Sequence, residues 1–77
     1  MSTFKVIEIF EISNATILVC DLFDDSVITD TLITDVGVFN KHEFAVEHAT
    51  ACFSEPKQRF VGIRKKNLPI IHEIRFG

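Results

Sequence analysis

The sequence predicts an all-β domain, a small barrel of about six antiparallel strands, and three observations carry that expectation. Short runs rich in β-branched and aromatic residues alternate between two faces, beginning with Phe4, Val6, Phe10 and Ile12. Turn formers separate the runs at Ser13-Asn14, Asp24-Asp25-Ser26, Ser54-Glu55-Pro56-Lys57 and Lys65-Lys66-Asn67. The most hydrophobic stretch, 6–23, is broken by Glu8, Glu11, Asn14 and Asp21, so it suits neither a membrane span nor a signal segment. Closing such a sheet removes the exposed edges that invite aggregation.

Residues 4–12 place Phe4, Val6, Glu8, Phe10 and Ile12 on one face and Lys5, Ile7, Ile9 and Glu11 on the other. Ser13-Asn14 turns the chain, and 16–23 returns as the second arm of a hairpin. That arm is apolar on both faces, with Leu18, Cys20 and Leu22 opposed to Ile17, Val19 and Phe23, so it belongs at the centre of a sheet or under two covers. A second subunit is one such cover. A third strand is expected over 27–34, with Thr29, Asp30 and Thr31 at a bend or rim, and the chain stays extended over 36–39 with Gly37 at a bulge.

Residues 41–53 admit two readings. Asn40 and Glu43 have the spacing of a capping box, which would open a helix and make the domain α+β. Alternation of Phe44, Val46, His48, Thr50 and Cys52 against Ala45, Glu47, Ala49, Ala51 and Phe53 suits a strand, which is the preferred reading. Strands at 59–64 and, after Pro69, at 70–76 complete the chain.

Seventy-seven residues, 47% of them hydrophobic, make one domain over 1–77 with a genuine core. All aromatics are phenylalanine, eight of them, which points to core packing more than to binding surfaces. Two cysteines are few for a small secreted domain, so Cys20 and Cys52 read as buried thiols of a cytoplasmic protein. Charge is unevenly placed: residues 1–56 hold ten acids against Lys5 and Lys41, a net −8, and residues 57–77 hold six bases against Glu73, a net +5. Pairing between the two parts within the fold is the expected use of that asymmetry.

The spacing of Cys20, Cys52, His42, His48 and His72 defines no catalytic triad, although Cys52 and His48 share a face in either reading of 41–53. A thiol or metal-dependent enzyme built on that pair is the least favoured class, and no enzymatic activity is expected. Cysteine and histidine pairs with zinc spacing, calcium loops and glycine-rich phosphate loops are not found, so no metal or other cofactor is expected. The local feature with content is a basic cluster, Lys57, Arg59, Arg64, Lys65 and Lys66, interleaved with Phe60. A hairpin over 57–66 would set these cations along one edge, where they guard the edge or meet an acidic partner or phosphates.

The order of runs and turns resembles the second, β-barrel domain of translational GTPases such as elongation factor Tu. Phe4-Lys5-Val6-Ile7-Glu8-Ile9-Phe10-Glu11-Ile12 is similar to that family's first strand and Thr16-Ile17-Leu18-Val19 to its returning strand. Ser26-Val27-Ile28-Thr29-Asp30-Thr31-Leu32 is similar to the turn that follows, Phe60-Val61-Gly62-Ile63-Arg64 to a late strand, and 70–76 to the closing one. The family's glycines are replaced at both early turns, and Thr29 stands where the family has Gly before Asp. The resemblance implies a barrel and an RNA-binding role for the basic cluster with Phe60 as a stacking surface, which the net acidity of the chain opposes. From the residues themselves the expectation is a non-enzymatic interaction module that binds a protein partner through Lys57, Arg59, Phe60, Arg64, Lys65 and Lys66, while the apolar excess of its two-faced strands also allows a homodimer.

Overall fold

A computed structural model describes residues 2–47 and 58–77. They form seven strands: β1 (Phe4–Ile12), β2 (Ala15–Asp21), β3 (Thr31–Thr34), β4 (Gly37–Asn40), β5 (Phe44–Val46), β6 (Gln58–Ile63) and β7 (Glu73–Phe76), with one 3₁₀ turn at Asp25–Val27. All pairings are antiparallel and the strand order is β4-β3-β7-β1-β2-β6-β5. The all-β expectation therefore holds. Closure does not, since β4 and β5 stay at opposite edges of the sheet. Yet only residues 41–43 join β4 to β5, a link that spans at most about 14 Å. The sheet must curl until its two edges approach at that end.

β1 is the corner of the curl. Phe4 and Lys5 pair with β7, whereas Val6 onward pairs with β2, and the register slips between Val6 and Glu8. The extra residue, Ile7, makes a β-bulge, which bends a strand and reverses the faces of the residues beyond it. Phe4 and Val6 pack on the core before the bulge and Ile9 after it, so Glu8, Phe10 and Ile12 turn outward. Strict alternation over 4–12 had put all five of the first set on one face.

Every strand contributes to the core, which includes Leu18, Cys20, Leu32, Phe39, Phe44, Val61, Ile63, Ile71, Ile74 and Phe76. Phe23, just beyond β2, fills the middle. Its ring lies 4.8 Å from Phe4 and 5.4 Å from Phe76, and Phe76 lies 6.2 Å from Phe44. β2 is central, as its two apolar faces require, but after Asp21 the parity shifts so that Phe23 is buried and Leu22 is 52% exposed.

The seventh strand comes from a reversal in 27–39 rather than one extended passage. The chain folds back at Asp35-Val36, with Thr34 opposite Gly37, and Gly37 takes a φ of 155° that other residues rarely adopt. Thr34 locks this hairpin by donating from Oγ1 to the Gly37 carbonyl at 2.8 Å and accepting the Val36 N–H at 3.1 Å. Ser13 and Asn67 occupy left-handed conformations at two of the expected turns. Asn40 and Glu43 form half of a capping box: Glu43 Oε1 accepts the Asn40 N–H, while Asn40 Oδ1 accepts from the His42 N–H and the Glu43 N–H donates to the Asn40 carbonyl. No helix follows over 41–47, because Phe44, Ala45 and Val46 pair with β6 instead. Residues 48–53 of that expected element lie outside the described residues.

The two oppositely charged parts of the chain meet as expected. Arg59 pairs with Asp25 at 2.7 Å and Lys65 with Glu43 at 2.9 Å. His72, at the entry to β7, sits against Asp35 in the β3–β4 turn. Asp35 Oδ1 accepts the main-chain N–H of His72 at 2.9 Å and Oδ2 lies 2.9 Å from its Nδ1. The His72 ring and these main-chain donors hold the Asp35 carboxyl below its usual range. Stability from Asp35 is therefore complete above the ordinary aspartate pKa and is lost as pH falls through the lowered one. Asp35→Asn is expected to cost about 0.5–1 kcal/mol at pH 7 and almost nothing near pH 2, a gap that denaturant unfolding across this range would trace.

Candidate binding face

The half of the sheet formed by β1, β2, β6 and β5 has one face on the core and the other in solvent. Alternation in β6 sends Arg59, Val61 and Ile63 inward and Phe60 and Gly62 outward, with Arg64 following on the outer side. Strand register then arranges the outer residues in three rows. The first reads Glu8, Val19, Phe60, Glu47; the second Phe10, Ile17, Gly62, Ala45; the third Ile12, Ala15, Arg64, Glu43.

The middle row is apolar from end to end. At Gly62 the Ile17 side chain leans across the row, since an added Cβ would lie only 3.3 Å from Ile17 Cδ1. Phe10 is 37% exposed, Ile12 54% and Phe60 40%, and together with Ile17 and Ala45 they border a groove of about 440 Å³. Glycine inside a strand forgoes packing and costs about 0.5–1 kcal/mol, and here its missing side chain admits the close approach of Ile17. An antiparallel sheet with one face on a core ordinarily presents polar residues to water on the other. This face departs from that rule across its whole middle row.

The basic cluster is not assembled as the sequence suggested. β6 is paired on both sides, by β2 and β5, so it is an interior strand and the stretch after it is a turn rather than the second arm of a hairpin. Lys57 lies outside the described residues. Arg59 is 3% exposed and points into the core end of the sheet, where Nη1 donates to the Phe23 carbonyl at 2.8 Å and Nη2 to Asp25 and to the Glu47 carbonyl. Its guanidinium carbon stands 4.8 Å from the centre of the Phe23 ring. Lys65 is held by Glu43, and Arg64 reaches the His42 carbonyl at 3.3 Å. Phe60 and Arg64 share the outer face, and Lys66 is exposed in the turn beyond it. The Lys65 ammonium and the Asn40 N–H hold the Glu43 carboxyl below its usual range.

Phe10, Ile12, Ile17, Ala45 and Gly62 were absent from the expected site. A glycine in the middle of a hydrophobic strand was the one signal in the sequence that pointed to them.

Among the described residues no group of three or more His, Cys, Asp and Glu side chains could hold a metal ion, and no helix is long and apolar enough to cross a membrane. Cys20 is a free, buried thiol; burial first, then the charge of Asp21, pushes its pKa up to about 12. Cys52 and His48 lie outside the described residues. With Cys52 replaced by serine, the native protein is expected to react with a thiol reagent at pH 8 only as fast as it opens, at least about a hundredfold slower than in denaturant. Labelling within seconds would contradict the burial of Cys20.

No protein-family model matches the chain, and neither a curated protein nor a solved structure shows detectable similarity to it.

Proposed function

We propose that this chain is a non-enzymatic interaction module that binds a protein through the outer face of β1, β2, β6 and β5. The observation that carries the reading is the unbroken apolar row Phe10, Ile17, Gly62, Ala45, flanked by exposed Phe60 and Ile12, on the side of the sheet that the core does not need. Exposed aromatic side chains around an apolar groove supply anchors and a pocket, the combination that dominates protein interfaces. The remaining charges on the face, Glu8, Glu47 and Arg64, sit outside the middle row, which matches an apolar centre with a polar rim. A cytoplasmic setting accords with the free thiol of Cys20.

The test places a photo-crosslinking amino acid at position 60, and in a control at exposed position 30, in the cells that make the protein. Protein adducts from position 60 but not from position 30 are expected. Equal yields from both positions, or none from 60, would overturn the reading.

RNA binding is the second reading, favoured by Phe60 and Arg64 standing on one face and by the resemblance to a translation-factor barrel. It would use Phe60, Arg64 and Lys66, since Arg59 is enclosed and Lys65 is paired with Glu43. Retention of RNA that falls steeply between low and moderate salt would favour it over an apolar protein contact.

A further inference from the structure

We propose that the molecule seated on this face is a second copy of the chain, packed face to face about a two-fold axis that runs across the strands. The inference rests on the reading of the face as a protein-binding surface and goes beyond it by naming the partner. Two features of the face point to a copy of itself. It carries its own projections and its own recess, because exposed Phe10 and Phe60 border the groove that Ala45 and Gly62 also line. A two-fold interface needs just this, with each patch supplying what the other accepts. Its charges are also divided by row, with Glu8 and Glu47 in the first and Arg64 in the third, where Glu43 is already neutralised by Lys65.

That division selects the axis. In face-to-face packing, an axis across the strands sets the first row of one copy over the third row of the other and the apolar middle rows on one another. Arg64 then arrives over Phe60 and beside Glu47 of the second copy, twice by symmetry, and meets both an aromatic face and an opposite charge. An axis along the strands would instead keep each row over itself and bring β1 over β5. Glu8 would then oppose Glu47, acid on acid, at both ends of the interface. Sheets in such sandwiches stack about 10 Å apart, within reach of these side chains.

Sedimentation equilibrium from about 1 to about 200 µM tests the proposal, with circular dichroism as the check on folding. The wild type is expected to be a dimer. Arg64→Glu and Glu47→Arg, both on exposed residues, are each expected to weaken the dimer about tenfold, and the double exchange to restore it to within about threefold. Ala45→Glu, which sets a charge in the groove at an exposed position, is expected to give a monomer. A monomeric wild type would overturn the second copy, while adducts of other proteins at position 60 would leave the binding face standing. A dimer indifferent to all these changes would place the contact elsewhere, and single exchanges without restoration would overturn the axis.

Discussion

Arg59→Met is expected to destabilise the domain by about 3 kcal/mol in urea unfolding, one of the two largest effects of a single change. Methionine keeps the length of the stem and removes every donor. The buried carbonyl of Phe23 and the part-buried carbonyl of Glu47 would lose the donors that Nη1 and Nη2 supply at 2.8 Å. Each orphaned buried acceptor costs about 1–3 kcal/mol, and the cation over the Phe23 ring adds about 0.5–2. Asp25 contributes less, because its side chain is 59% exposed and rehydrates when released. Asp25→Asn is therefore expected to cost under about 1 kcal/mol. Equal losses from the two variants would mean that the ion pair, not the clamp on two main-chain segments, is what Arg59 supplies. Arg59→Lys should recover less than half of the loss, since one ammonium cannot span acceptors that a planar fork reaches together.

Phe23→Ala is expected to cost about 3–5 kcal/mol, comparable to the whole stability of about 4–12 kcal/mol usual for a chain of this length. The ring belongs to no strand. It sits where the halves of the curled sheet face each other, touching Phe4 of the corner strand and Phe76 of β7, with Arg59 against it. Truncation would open a cavity against Phe4 and Phe76 and take the ring from beside the Arg59 guanidinium. Phe23→Leu should cost much less, about 1–1.5 kcal/mol, because it keeps most of the volume. The two large effects should not add: with ring and guanidinium in contact, the double variant is expected to lose about 0.5–2 kcal/mol less than the sum.

Strand identity was legible where alternation and turn chemistry agreed, as in β1, β2, β6 and β7. The central place of β2 followed from Leu18 and Cys20 on one side and Ile17 and Val19 on the other. Facing was harder to read. The bulge at Ile7 leaves no mark in composition, yet it parts Phe10 and Ile12, now exposed, from the face of Phe4 and Val6. The reversal at Asp35-Val36 lacked a glycine between its strands; the needed glycine follows at Gly37, where it looked like a bulge. Asn40 and Glu43 show that the bond from a cap N–H to a carboxylate three residues on is a local pattern, which can precede a strand when pairing is stronger than helix propensity. In the candidate site, counting cations along 57–66 obscured what period two in β6 would have separated, Arg59 with Val61 and Ile63 inside, Phe60 with Gly62 outside. The unequal charge of the two parts of the chain was the better guide, because Asp25 with Arg59 and Glu43 with Lys65 join them.

The most direct test of the apolar outer face as the contact surface uses the phenylalanines as reporters. With fluorinated phenylalanine in the chain and each resonance assigned by substitution, fluorine spectra would be compared between dilute and concentrated protein. The account expects Phe10 and Phe60 to shift or broaden on association, while Phe4, Phe23, Phe39, Phe44 and Phe76, packed in the core, stay in place. Association that leaves Phe10 and Phe60 unmoved would contradict it.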